Sequence, residues 1–262
     1  MNRLPRIALV LVMVVTAACT QAAAVNEGDQ PRSVEPSDGP TTQQPTASPG
    51  AEVPEEVAMG NEEEAPQRFR GSVSVIGPQL RQTLIGRNWT PGCPVPIRDL
   101  RLVSVSYWNF HGEVARGPLV LHERVAGDVL WVFRRLFRAH FPIKSIELAA
   151  KDRPLTPKDY WNRSPRSVTA SFNCRPATGS TSLSHHSYGW AIDINPLQNP
   201  YVRSDGSTLR HIAKPFRNRS LHRKGMIHDG DVVVRSFAAI GWKWGGHWHT
   251  LKDYMHFSLT GR

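Results

Sequence analysis

The stretch Cys174–Pro200, CRPATGSTSLSHHSYGWAIDINPLQNP, decides the fold of this chain. Its closing part, Trp190–Asn195, alternates large apolar with small or polar side chains, and such alternation predicts a half-buried β-strand. The tryptophan and the two isoleucines of this strand are expected to face the core. The opposite face then carries Ala191, Asp193 and Asn195, and from there the Asp193 carboxylate can reach a ligand.

A second strand-like stretch, Asp253–Leu259, supplies another polar side chain, because His256 alternates with apolar neighbours. His186 precedes the predicted strand Trp190–Asn195, and Gly189 lets the chain bend between His186 and that strand. His186, Asp193 and His256 together form a set of two histidines and one carboxylate. Such a set is typical of catalytic zinc, since structural zinc sites more often use four Cys or His ligands. The sequence therefore predicts a zinc site whose fourth position holds water.

Two motifs carry a resemblance to a known family. They are S-x-H-x-x-G-x-A-x-D, which begins at Ser184, and D-x-x-H-F, which begins at Asp253. In this order they resemble the VanY-like D-alanyl-D-alanine carboxypeptidases and the related L-alanyl-D-glutamate endopeptidases, which are zinc enzymes that cut peptidoglycan stem peptides. The similarity runs from about Cys93 to His256 and includes Gly241–Trp248. It implies a single α+β domain, Hedgehog/DD-peptidase-like, in which a small antiparallel sheet with flanking helices carries the zinc.

The resemblance also implies roles for individual residues. Asp253 is expected to act as general base, taking a proton from the zinc-bound water and passing it to the leaving amine. Arg175 is expected to polarise the substrate carbonyl or hold a substrate carboxylate. Ser184 is expected to support the metal ligands or the substrate backbone. Tyr188 and Trp248 are further candidates for substrate contact.

Other histidines offer alternatives to this ligand set. His185 is adjacent to His186, but in an extended segment its side chain points the other way. His247 and His249 lie two residues apart and would share one strand face, where they could bind a separate metal ion. The tryptophans around them are expected to pack in the core or line the cleft.

The rest of the domain mixes strands and helices. Leu100–Tyr107 and Pro118–Leu121 read as strands with a turn between them, and apolar residues recur at helical spacing from Val125 to Phe137. A second helix is expected over Val232–Ile240, with Asp231 as its N-cap. The predicted fold class is therefore α+β.

The N-terminus resembles an export signal of residues 1–24, in which the apolar run Ile7–Ala18 is too short to anchor stably in a bilayer. Small residues before Cys19 resemble a lipoprotein processing site, at which Cys19 would carry lipid. Thr16 stands where such sites usually have Leu or Val, and Ala22–Ala24 offers an ordinary cleavage site. The protein is thus expected on the outer face of the cell membrane or in the cell wall.

Residues 25–66 are rich in Pro, Glu, Ser, Thr and Gln, which is typical of a disordered linker. They hold ten acidic residues and one arginine, which leaves 29 Lys and Arg against 12 Asp and Glu in the predicted catalytic domain, residues 67–262. So basic a domain favours anionic surroundings, and anionic cell-wall polymers suit an exported protein. The sequence lacks the basic patterns of nucleic-acid binders, so nucleic acid is not an expected partner.

Cysteine usage agrees with export. If Cys19 carries lipid, Cys93 and Cys174 are the remaining pair, and in an oxidising compartment they are expected to form a disulfide. The sequence thus predicts an exported, lipid-anchored zinc peptidase that acts on peptidoglycan stem peptides. The alternatives are an L-alanyl-D-glutamate endopeptidase and a cell-wall lipoprotein that binds peptides without cleaving them.

Overall fold

The computed structural model describes residues 67–149 and 166–261, which belong to a unit that runs from Glu62 to Arg262. The predicted signal segment, Cys19 and the whole linker lie outside the described residues. The α-helices are α1 (Pro78–Leu84), α2 (Glu123–Arg138) and α3 (Val232–Ala239). The strands are β1 (Gly71–Val75), β2 (Leu100–Trp108), β3 (Val114–His122), β4 (Ser145–Ile146), β5 (Val168–Thr169), β6 (Ala191–Asp193), β7 (Tyr201–Val202), β8 (Lys243–Trp244), β9 (Lys252–Asp253) and β10 (His256–Ser258). Within the described ranges, no helix is both long and apolar enough to span a membrane. The α+β prediction is confirmed.

The first sheet is antiparallel, with strand order β1–β2–β3. The β2–β3 hairpin turns at Asn109, whose Oδ1 accepts from the backbone N–H groups of His111 and Glu113. Helix α2 packs on β2 with its apolar face, which includes Val129, Phe133 and the buried residues around them. The helical spacing in the sequence therefore predicts this helix correctly.

The second sheet has strand order β6–β10–β8, and all of its pairs are antiparallel. Helix α3 covers it, and Phe237 of α3 stacks on Phe257 of β10. Asp231 caps α3 as expected, because its Oδ1 accepts from the N–H groups of Val233 and Val234. Of the tryptophans near this sheet, Trp242 and Trp244 are buried in the core.

The prediction that Trp190–Asn195 is half-buried is wrong, because both faces of this segment are covered. Ala191 and Asn195 are each 0% exposed. The Asn195 side chain does not face the predicted metal ligands. Its Nδ2 donates to the carbonyls of Pro142 and Gly225, and its Oδ1 accepts from the N–H of Lys144, so it joins three segments. Asn195 therefore links segments of the fold. Its side chain is polar but buried, so the alternation of polarity wrongly predicts an open face here.

A disulfide joins Cys93 to Cys174 across 81 residues. Hydrogen bonds reinforce the same junction, because the N–H of Cys174 donates to the carbonyl of Asn88 and the Asn88 amide donates to the carbonyl of Phe172. The segment that leads to Arg175 is therefore fixed to the loop after α1.

Replacing both Cys93 and Cys174 with serine is expected to destabilise the domain by about 4 kcal/mol, because the crosslink restricts a long loop in the unfolded chain. Thermal denaturation should show a melting temperature lower by roughly 10 °C. Thiol labelling of the unfolded, unreduced domain should find neither cysteine reactive, and labelling of both would contradict the pairing.

Candidate metal centre

The second sheet brings the predicted ligands together. Asp193 on β6 and His256 on β10 are directly opposite each other in the antiparallel register. The Asp193 Oδ1 lies 3.0 Å from the His256 Nδ1 and 3.2 Å from the His186 Nε2. The three ligand atoms lie within 4.8 Å of one another, and this is the one such group of three or more found in the described residues.

A short 3₁₀ turn, His185–Tyr188, positions His186. Ser184 caps it, because its hydroxyl accepts from the backbone N–H of His186 at 3.3 Å. Gly189 ends the turn with a φ of +68°, and a Cβ there would come within 2.5 Å of the backbone nitrogen of His122. Only glycine fits both the backbone angle and the space, so the motif's Ser and Gly hold the histidine in place.

The hydrogen bonds of His186 test whether the cluster fits a metal ion. Its Nδ1 donates to the carbonyl of Ser171 at 2.6 Å, so in the neutral ring Nε2 bears a lone pair. This buried atom has no hydrogen-bond partner, and it faces the Asp193 Oδ1. The two atoms are both electron-pair donors and lie 3.2 Å apart, so a cation between them could bind both. Tetrahedral zinc with bonds of 2.0–2.1 Å separates its ligand atoms by about 3.3 Å, which matches this distance. The residues therefore fit a zinc ion.

The charge state of Asp193 agrees with a ligand role. Burial by itself would raise its pKa, but the neighbouring imidazoles of His186 and His256 lower the pKa of Asp193 well below its ordinary value. The carboxylate is therefore ionised and ready to bind a cation.

Asp253 on β9 is a second buried carboxyl group beside the cluster. Burial is the main cause that raises its pKa, to about 7, and the negative charge of Asp193 adds to it, while His256 and Arg175 oppose the shift. Its Oδ1 is buried without a hydrogen-bond partner. A carboxyl group with a pKa near neutrality can take up and release protons, which suits a general base.

A cleft of about 70 Å³ opens beside the cluster. His186, Asp193 and Arg175 line it, together with Arg166 and Arg210. The guanidinium of Arg175 is held by the Pro176 carbonyl at 3.0 Å and acts electrostatically on Asp253. Arg166 forms an ion pair with Glu147, and Arg175 is placed to attract a carboxylate or a developing oxyanion in the cleft.

The other two predicted contact residues, Tyr188 and Trp248, do not line this cleft. Tyr188 stacks on Trp190 and packs against the core cluster that includes Val120 and Phe172. Trp248 has its ring centroid 5.6 Å from that of His256, yet it lines a separate cavity of about 430 Å³. Substrate contact by Tyr188 and Trp248 therefore stays a prediction.

The alternative histidines lie apart from the cluster. His185 is turned away and interacts with the hydroxyl of Thr260 at 2.7 Å. His247 lies in a 3₁₀ turn rather than a strand, and it pairs with Asp229 at 2.8 Å. The two histidines therefore do not lie on a strand as the sequence suggests, although both line a cavity of about 430 Å³.

Two residues near the site carry no signal in the sequence. The backbone carbonyl of Ser171 orients His186, and a carbonyl leaves no signal in a sequence. Tyr201 on β7 is the register partner of Asp253, but nothing around it in the sequence marks it as part of a site. Only the pairing of β7 with β9 brings it there.

A family model matches part of this chain. It covers residues 178–259, and the family is described as D-alanyl-D-alanine carboxypeptidase. Neither the curated proteins nor the solved structures gave a significant match. The matched segment contains His186, Asp193, Asp253 and His256, so the resemblance that their motifs carry is confirmed, and over residues 178–259 this chain matches the D-alanyl-D-alanine carboxypeptidase family.

Proposed function

We propose that this protein is a zinc-dependent peptidase that hydrolyses an amide bond in peptidoglycan stem peptides, as D-alanyl-D-alanine carboxypeptidases do. The observation that carries the proposal is the cluster of His186, Asp193 and His256 with the buried carboxyl of Asp253 beside it. The family match over residues 178–259 supports the substrate class. It also favours a Hedgehog/DD-peptidase-like arrangement of the second sheet.

Each residue has a task in this reaction. A zinc ion held by His186, Asp193 and His256 would supply an activated water and polarise the scissile carbonyl. The Ser171 carbonyl keeps the proton of His186 on Nδ1, which leaves Nε2 as the ligand atom. Asp253 takes the proton from the attacking water and returns it to the leaving amine. Arg175 stabilises negative charge on the reacting oxygen from the cleft side.

Mass spectrometry of purified muropeptides after digestion tests this function. Loss of a terminal D-alanine indicates a carboxypeptidase, and cleavage between L-alanine and D-glutamate indicates an endopeptidase. Chelation should abolish either product and added zinc should restore it. Zinc binding without any cleavage would favour a non-catalytic peptide binder.

We extend the proposal to the organisation of the chain. Residues 1–24 direct export, residues 25–66 form an acidic tether, and residues 67–262 form the catalytic domain. Lipid on Cys19 keeps the enzyme at the outer face of the membrane, and the excess of Lys and Arg in the domain suits anionic cell-wall polymers. The support for this layout is the sequence pattern alone.

Replacing Cys19 with serine is expected to move the protein from the membrane fraction to the soluble fraction, because the thiol that carries the lipid is lost. Immunoblots of fractionated cells measure this. Ser48→Ala, a change within residues 25–66 that keeps all three cysteines, serves as the control. Unchanged membrane association of the Cys19 variant would refute lipidation.

A further inference from the structure

Strand β7 places a phenol beside the proposed general base. In the β7–β9 pair, Tyr201 is directly opposite Asp253, and Val202 is opposite Lys252. Side chains of directly opposed residues in antiparallel strands project from the same face, with their Cβ atoms roughly 5 Å apart. The Tyr201 side chain therefore projects from the same face as the Asp253 carboxyl group.

The Tyr201 hydroxyl is available to a ligand. Tyr201 is half-buried, and its hydroxyl forms no hydrogen bond with any described residue. Burial and the negative charge of Asp253 raise the pKa of Tyr201, while Arg203 opposes the shift. The phenol therefore keeps its proton at neutral pH and presents an unused donor next to Asp253.

Arg203 adds a positive charge on the same side. It follows Tyr201 by two residues, which puts the two side chains on one face of the extended chain. Its guanidinium is steadied by the hydroxyl of Ser207 at 3.2 Å and the carbonyl of Thr208 at 3.3 Å. Asp205 lies in the same turn, where its carboxylate accepts from the N–H of Ser207. A phenol and a guanidinium on one face match the acceptor oxygens of a carboxylate.

The position of this pair relative to the cleft decides which part of the substrate it meets. Arg175 lines the cleft with His186 and Asp193, whereas Tyr201 does not. Both Arg175 and Tyr201 interact electrostatically with Asp253, so both lie near it. Asp253 delivers the proton to the leaving amine, and the leaving residue must therefore lie within its reach.

We propose that Tyr201 and Arg203 form the subsite that binds the free terminal carboxylate of the leaving residue. This inference rests on the proposed peptidase function and assigns the chain to carboxypeptidases rather than endopeptidases. An endopeptidase substrate continues beyond the leaving residue and has no charge there for the pair to bind.

Kinetics on two matched substrates test the subsite. One is a stem pentapeptide that ends in D-alanyl-D-alanine with a free carboxylate, and the other is the same peptide with a terminal amide. Tyr201→Phe and Arg203→Gln should each lower kcat/KM on the free acid by about 10- to 100-fold, the range of a hydrogen bond to a charged group. The amide should lose less than about threefold, and bound zinc should be unchanged. Tyr107→Phe, which removes a phenol in the core of the first sheet, is the control and should leave the acid-to-amide ratio of kcat/KM unaltered.

The outcomes separate this subsite from the proposed function. Equal losses on acid and amide, or a parent enzyme that cleaves both equally, would overturn the carboxylate subsite while the peptidase function stands. If the parent binds zinc but cleaves neither peptide, the peptidase function fails. Calorimetric binding of the two peptides then decides the subsite: a preference for the acid that Tyr201→Phe removes supports it, and no preference refutes it.

Discussion

Replacing His186, Asp193 or His256 with alanine is expected to remove bound zinc and hydrolysis together. Each change leaves two protein ligands, which are too few for a stable tetrahedral site. The three ligand atoms lie within 4.8 Å of one another, so they can bind a single ion. Each variant removes one ligand from that shared site. Metal analysis of the purified variants and muropeptide hydrolysis measure the two losses.

His185→Ala is the matched control for the ligand variants. It removes an imidazole one residue from His186, but that imidazole interacts with Thr260 outside the cluster. Zinc content and hydrolysis should therefore stay near the parent values. A ligand variant that keeps full zinc would show that its residue does not bind the metal.

Asp253→Asn and Asp253→Ala are expected to lower hydrolysis by roughly 10² to 10⁴ while zinc stays near one per chain, because they remove a proton acceptor but no ligand. Metal analysis and kcat on the same preparations measure this. Zinc loss in both variants would make Asp253 a ligand, and full activity would place the base elsewhere.

A stability measurement tests whether misfolding, instead of loss of the base, explains lower activity in the Asp253 variants. In the metal-free protein, burial and the charge of Asp193 raise the pKa of Asp253 to about 7, above its value in the unfolded chain. The folded state then binds a proton that the unfolded state releases, so this group's contribution to stability falls as the pH rises from about 4 to 7. Metal-free Asp253→Asn should therefore unfold at a temperature no lower than the parent at pH 7, and it should lose part of this pH dependence.

The sequence by itself determined the local structure around the site. Gly189 predicts the bend before β6, because glycine takes the left-handed backbone angle without strain. The extended segment expected at His185 and His186 is instead a 3₁₀ turn capped by Ser184. The apolar periodicity of α2 and the capping aspartate of α3 likewise fix those helices within one or two residues of their bounds. These signals are readable because each depends on neighbours within a single turn.

Only the tertiary structure decided how distant segments meet. Asp193 and His256 are 63 residues apart, and the antiparallel register of β6 and β10 is what sets their side chains against each other. The Ser171 carbonyl, the double burial of Asn195 and the placement of Tyr201 opposite Asp253 depend on strand pairings of the same kind. Alternating polarity indicates which face of a strand a residue lies on. It does not indicate which distant segment covers that face, because that depends on contacts between parts of the chain far apart in sequence.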